Sequence, residues 1–387
     1  MRRRLVERAY LVIPRSLEDH LEEAMILARV AGYDIVRVWR SRYTWRLGRG
    51  LIKEIARSAE EEKPSTIIFY GDPRPSTVFQ LVKESRVRVV DRVTLILEIF
   101  AKHAGSREAL LQIEMARIKH ELPLIREWVR RSKLGELPGF LGPGGYAIDK
   151  YYTHLTSRLA RIRRELEELR RSRRMRINAR RDLGMLHVAI VGYASAGKTS
   201  LFNVLTGENQ RVGEEYFTTL QPKHKAINVN GVKVVFIDTV GFIRDVPPEI
   251  VEAFHAVLEE IKISDAILFV VDISEDDRIL KEKVEAGFKT LAKIEALGLP
   301  IIMVANKIDL VGEEVVERRV NLIKAMAMKI SPEPRVVKVS ALKRIGLEEL
   351  MSTLAEVLSA KLTSVRRESR EGWVDTYEQL LSQKTGV

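Results

Sequence analysis

The chain has 387 residues, 65 Lys and Arg against 53 Asp and Glu for a formal charge of +12, and no cysteine. A chain of this length has room for two or three domains, each burying its own core. Disulfides and thiolate-bound metals are excluded, no apolar run reaches the roughly 18 residues of a membrane span, and the Arg-rich start lacks a secretory leader's apolar stretch, so a cytoplasmic protein is expected.

In chain order, residues 9–13, 34–38, 66–70 and 87–90 are short β-branched runs, and the stretches 17–31, 51–62 and 76–84 are helical in pattern. This alternation predicts a small parallel α/β subdomain over residues 1–105. Segment 45–50, with Gly48 and Gly50, reads as a plain loop. Residues 106–183 change period. Leu111, Met115, Ile118, Leu122, Ile125 and Val129 form one heptad-like seam, and Leu155, Leu159, Ile162, Leu166 and Leu169 form another. Between them Gly135, Pro138, Gly139, Gly142, Pro143, Gly144 and Gly145 cannot continue a helix. A long antiparallel helical hairpin with a Gly-rich tip is predicted, with Pro123 kinking its first arm.

Residues 184–361 return to strand–helix alternation and read as an α/β domain with a mixed, mostly parallel sheet. Asn230-Gly231 marks a tight hairpin that supplies one antiparallel edge. The polar tail, 362–387, has at most a weak helix around 373–381, and no role is assigned to it.

Charge divides the chain. Residues 1–183 hold 39 Lys and Arg against 24 Asp and Glu, +15, whereas the rest holds 26 against 29, −3. A polyanion partner, most simply RNA, is expected on the N-terminal half. Much of the excess lies on the second hairpin arm, including Arg158, Arg161, Arg163, Arg164, Arg170, Arg171, Arg173 and Arg174, partly offset by Glu165, Glu167 and Glu168. Two readings stay open for it: a solvated face with internal ion pairs, or a phosphate-contacting face.

The chemistry is concentrated after residue 185. The apolar run 186–191 leads into Gly192-Tyr193-Ala194-Ser195-Ala196-Gly197-Lys198-Thr199-Ser200, the spacing of a phosphate-binding loop. Its glycines let main-chain N–H groups turn toward phosphate oxygens, and the following helix adds the positive end of its dipole. Lys198 can reach the β/γ-phosphates and the Thr199 hydroxyl can ligate Mg²⁺. Asp238-Thr239-Val240-Gly241 follows the strand at 234–237, placing Asp238 to hold Mg²⁺ and the Gly241 N–H to face the γ-phosphate. Asn306-Lys307-Ile308-Asp309 follows the strand at 301–305. The Asp309 carboxylate accepts from guanine N1–H and its 2-amino group, Asn306 braces the loop and the base N7 edge, and the Lys307 stem packs over the ring. Ser340-Ala341-Leu342 would offer the Ala341 N–H to guanine O6. Thr219 is the expected switch residue closing on Mg²⁺ and the γ-phosphate, with Thr218 the alternative. Phe242 stands where a water-orienting glutamine often follows Asp-x-x-Gly, so hydrolysis is expected to be slow without groups from a partner.

At these motifs the sequence resembles the HflX family of ribosome-associated GTPases. The resemblance runs through 89–100, 112–116, Gly142-Pro143-Gly144, 192–203 and 238–245, then Pro247, Pro248, Glu249 and Glu252. An apolar residue at Phe242 is the family's pattern. Departures are Gly145 where glutamate is usual, Ser195 where Asn is common and Gln221 where Asp is common. The resemblance implies an N-terminal α/β subdomain, a helical hairpin whose tip reaches toward ribosomal RNA near the peptidyl-transferase region, and a GTPase domain. It further implies GTP and Mg²⁺ as ligands, binding to the large ribosomal subunit, and splitting or rescue of stalled ribosomes. The chain is expected to act as a monomer. Two other readings are a GTP-gated RNA-binding scaffold with negligible turnover and an ATP-dependent RNA remodeller working through the N-terminal half, which some family members are reported to use for ATP.

Overall fold

The structure is a computed structural model describing residues 7–133, 144–182, 185–208, 223–229, 231–239, 241–242, 250 and 255–360. It divides into two compact units. The first holds β1 (Glu7–Pro14), β2 (Tyr33–Ser41), β3 (Thr66–Phe69) and β4 (Arg88–Asp91), an all-parallel sheet in the order β2-β1-β3-β4. Helices α1 (Leu21–Ala31), α2 (Arg49–Glu62), α3 (Pro75–Ser85) and α4 (Arg92–His103) accompany it. Tyr10, Val12, Ile52, Ile55, Ile67 and Phe69 pack together as a buried core, the β-branched and aromatic strand residues meeting one apolar face of α2.

Two local differences from the sequence pattern have physical causes. The stretch 17–31 is two elements, a 3₁₀ turn over Arg15–His20 and then α1, with Leu17 outside helical geometry at φ −117°, ψ 18°. Over so short a stretch a three-residue repeat and a 3.6-residue repeat place apolar side chains alike. Helix α4 was missed in the sequence because its polar stripe, Thr94, Glu98 and Lys102, is narrow beside the buried apolar residues Val93, Leu95, Ile96, Leu97, Ile99 and Phe100. Its start is fixed by Asp91, whose side chain accepts from Thr94 N at 2.8 Å.

Helices α5 (Arg107–Lys133) and α6 (Gly144–Asp182) carry the heptad residues, and Leu111, Met115, Ile118, Leu155, Leu159 and Ile162 form a single buried seam. Helix α5 runs continuously through Pro123, which forgoes one main-chain hydrogen bond. Helix α6 starts at Gly144, so Gly144 and Gly145 are helical rather than part of a loop. A first turn has no main-chain donors committed within the helix and tolerates weak helix formers. The α6 arginines divide between the two readings. Arg158 and Arg173 reach Glu114 and Glu108 on α5 at 2.7 and 3.1 Å, whereas Arg161, Arg163 and Arg164 are exposed.

The second unit holds β5 (Leu186–Gly192), β6 (Lys223–Val229), β7 (Val232–Asp238), β8 (Ala266–Asp272), β9 (Ile301–Asn306) and β10 (Arg335–Val339), in the order β10-β9-β8-β5-β7-β6. All pairs are parallel except β6 with β7. Val229 pairs with Val232, and Gly231 between them takes φ +85°; Asn230 lies outside the described residues. Beside this sheet lie α7 (Lys198–Thr206), α9 (Asp277–Lys293), α10 (Glu313–Ala327) and α11 (347–360); α8 (His255–Lys262) precedes β8. Val188, Ile190, Leu268, Val270 and Val304, buried on β5, β8 and β9, anchor the core. Among the described residues, no helix is long and apolar enough to cross a membrane.

Candidate nucleotide site

In a parallel sheet the strands' carboxyl ends share one edge, which is where ligands of open α/β folds bind. Here that edge collects the residues after β5, β7, β9 and β10, so every described sequence-predicted site residue falls on it. Thr219 and Thr218 lie outside the described residues.

The loop after β5 needs its glycines. Gly192 has φ +152° and a Cβ there would lie 2.3 Å from the Val270 carbonyl oxygen; Gly197, the N-cap of α7 at φ +94°, would place one 2.3 Å from Asn306 Nδ2. Ser195 also takes the left-handed conformation, at φ +64°. Lys198, Thr199 and Ser200 open α7. Lys198 is only 7% exposed, and its Nζ donates to the Tyr193 carbonyl at 2.8 Å. Burial pushes its ammonium down to about 8, against the opposing pull of the Asp238 charge. Thr199 Oγ1 donates to Asp238 Oδ2 at 3.0 Å, bringing a hydroxyl and a carboxylate from separate motifs together. Gly241 belongs to the same cluster, since a Cβ on it would meet Lys198 Nζ at 2.9 Å.

Phe242 is clamped at both ends of its peptide unit. Its N–H donates to the Gly192 carbonyl and its carbonyl accepts from Ala194 N, both at 2.9 Å. The side chain is buried against Phe269, with ring centroids 6.3 Å apart.

The base-side motifs are interlocked. Asn306 is buried; its Nδ2 donates to the Ala196 carbonyl at 2.9 Å, and its Oδ1 accepts from Ala341 N at 3.0 Å. It thus ties the phosphate loop to the segment after β10. The Ala341 N–H already has this partner, so a guanine O6 at that position shares it. Ser340 Oγ donates to Asp309 Oδ1 at 2.6 Å and accepts from Lys343 N at 3.0 Å, which fixes the Asp309 carboxylate. Lys307, at φ +70°, directs Nζ to Asp272 Oδ2 at 2.5 Å. Leu342 is 79% exposed. Sequence reasoning missed Asp272 as the Lys307 partner and Thr239 as a brace, its hydroxyl donating to the Ile190 carbonyl at 2.7 Å. The β-branched Thr239 beside Asp238 was the available signal.

The residues present fit a nucleoside triphosphate with Mg²⁺. Two glycines leave no room for a Cβ where main chain must turn inward, a buried ammonium lies in the loop, and a hydroxyl–carboxylate pair offers hard oxygen donors.

Comparison with known proteins agrees. Residues 187–307 match the family model described as 50S ribosome-binding GTPase, residues 103–180 that of the GTP-binding GTPase middle region, and residues 18–101 that of the GTP-binding GTPase N-terminal region. The chain is 50% identical over 357 residues to GTPase HflX of Hyperthermus butylicus, covering 90% of this chain and 95% of that one. Among solved structures, SsGBP in complex with GDP aligns with TM-score 0.54 at 30% identity, covering 92% of this chain and 99% of that chain. A GTP-binding protein from the hyperthermophilic archaeon Sulfolobus solfataricus in complex with GDP aligns with TM-score 0.50 at 30% identity, with the same coverage.

Proposed function

The chain belongs to the HflX family of GTPases, and we propose that its GTP cycle gates association with the large ribosomal subunit, through which it splits or rescues stalled ribosomes. It binds GTP with Mg²⁺ and hydrolyses GTP. The observation that carries the proposal is Phe242: its side chain is packed into the core and its N–H is engaged by Gly192, so it cannot orient the attacking water. Intrinsic hydrolysis is then slow, and stimulation comes from a partner. The +15 charge of residues 1–183 and the 50S ribosome-binding description of the matched family model support ribosomal RNA as that partner.

Within this reading the residues divide the work. Gly192, Ser195, Ala196, Gly197 and Ser200 shape the phosphate cradle. Lys198 leaves the Tyr193 carbonyl for the β/γ-phosphates. Thr199, Asp238 and Thr219 hold Mg²⁺, which neutralises charge on the phosphates when bound. Gly241 N–H orients the γ-phosphate. Asp309 selects guanine, with Asn306, Lys307, Ser340, Ala341 and Leu342 shaping the base pocket. The protein works as a cytoplasmic monomer, with residues 1–105, 106–183 and 184–361 as its functional divisions.

Co-sedimentation with purified large subunits tests the gate. Retention with a non-hydrolysable GTP analogue, and loss with GDP, is expected. Equal sedimentation with both nucleotides, or none with either, would overturn the proposal.

A further inference from the structure

We propose that the arginine–aromatic cluster at the carboxyl edge of the first sheet, formed by Arg42, Tyr43, Trp45, Arg46 and Arg74, is a stacking site for unpaired RNA bases. This deepens the reading of an RNA-rich partner and rests on it. The cluster joins two loops that follow β2 and β3, which flank β1 in the sheet order. Main chain builds its frame. Asp72 N donates to Thr44 O at 3.0 Å, Arg74 N to Trp45 O at 2.9 Å, and Thr77 Oγ1 to Trp45 O at 3.2 Å.

On this frame the side chains alternate ring and cation. Tyr43 and Trp45 have centroids 5.7 Å apart. The Arg46 guanidinium lies 4.3 Å from the Tyr43 ring and 4.8 Å from the Trp45 ring, Arg74 lies 3.8 Å from Trp45, and Arg42 lies 5.3 Å from Tyr43. All three arginines are exposed. Several other arginines of the unit answer to carboxylates, as Arg40 to Glu18, Arg92 to Glu23 and Arg158 to Glu114. Among the described residues no carboxylate pairs with Arg42, Arg46 or Arg74; their partners are rings. The three guanidinium groups therefore bring positive charge to the frame without ion pairs of their own. The Arg46 hydrogen bond and the Arg42 charge hold the Tyr43 phenol below its ordinary range, which reports the same field.

This chemistry selects its ligand. Guanidinium groups attract phosphates, but duplex phosphates need only charge. Planar cations held over rings instead add to a π surface, on which an unpaired base stacks whatever its identity. Bases in a duplex have no open face to offer.

The test uses the full chain and a fluorescent single-stranded RNA of about 12 nucleotides, with a duplex RNA of equal length as comparison. The single strand is expected to bind more tightly than the duplex and to quench tryptophan emission. Arg46→Ala with Arg74→Ala should weaken single-strand binding by roughly tenfold. Arg46→Lys with Arg74→Lys keeps the charge, removes the planar surface and should weaken it comparably at equal salt. GTP hydrolysis, read on the same samples, verifies folding, and the lysine pair decides if the alanine pair misfolds. Full binding by the lysine pair, equal affinity for duplex, or displacement of the RNA by ATP at matching affinity would each overturn the proposal. No ribosome enters this assay, so a failed large-subunit gate and a failed stacking site give separate results.

Discussion

Both sheets present a carboxyl edge, and the two edges are secured by different means. At the six-stranded sheet, buried side chains do the joining: Asn306 links Ala196 to Ala341, Ser340 holds Asp309, and Thr199 meets Asp238. At the four-stranded sheet, main-chain bonds through Thr44 and Trp45 set the frame and leave guanidinium groups and rings facing outward. The first arrangement fixes donors and acceptors in one register, as recognition of a single nucleotide demands. The second fixes only a surface, and suits a ligand recognised by charge and planarity. The buried ionisable groups differ in the same sense. Lys198 is held low by burial beside the loop it serves, whereas Tyr70, buried and bonded to Glu23 at 2.9 Å, is pushed well up and locks α1 to the end of β3.

Breaking the clamp at Phe242 should have the largest effect. Phe242→Gln puts an amide into the space against Phe269 and is expected to cost about 4 kcal/mol of stability. It should not accelerate hydrolysis, because the position faces the core. Urea unfolding and phosphate release in the absence of ribosomes check both parts; a tenfold faster intrinsic rate would show that the side chain reaches the nucleotide. Asn306→Ala comes next. It strands the buried Ala196 carbonyl and Ala341 N–H at about 1–3 kcal/mol each and unties the phosphate loop from the base side. Guanine nucleotide affinity should fall with stability, while the RNA binding ascribed to the other edge stays put. Loss at both edges would mean that the two units do not act separately.

The legible and illegible parts of the molecule follow sequence distance. The phosphate loop, Asp238–Gly241, Asn306–Asp309 and Ser340–Leu342 are short segments whose order and spacing behind apolar strands carry their chemistry, so they could be read together. The hairpin seams were legible because a repeat every seven residues survives any partner. Helix α4 was not, since its wide buried face leaves only the narrow stripe of Thr94, Glu98 and Lys102 to mark the period. The arginine–aromatic cluster was invisible for another reason: Trp45 and Arg74 meet only because β2 and β3 flank β1. Glu23, Tyr70 and Arg92 likewise meet only once the sheet is formed. The apolar side chain of Phe242 is visible in the sequence, but the hydrogen bonds that clamp it run through main chain, which a sequence does not display.

The smallest predicted effect separates the two edges by pH. Lys198 is lowered from 10.5 to about 8 in the folded protein. The unfolded chain therefore binds more protons between these values, and Lys198 makes nucleotide-free stability rise as pH rises through that window. Nucleotide binding runs the other way. Phosphates beside Nζ favour the charged ammonium, so above about pH 8 binding must take up a proton, and affinity falls with increasing pH by at most roughly 1.4 kcal/mol, or tenfold, per unit. Below about pH 7 the residue is already charged and this dependence flattens. GDP titrations between pH 6.5 and about 9, in buffers of differing ionisation heat, would report the proton uptake directly. Lys198 takes no part at the other edge, so RNA binding there should not share the proton uptake that accompanies GDP. Parallel declines at both edges would assign the effect to the RNA or to the whole chain instead of to Lys198.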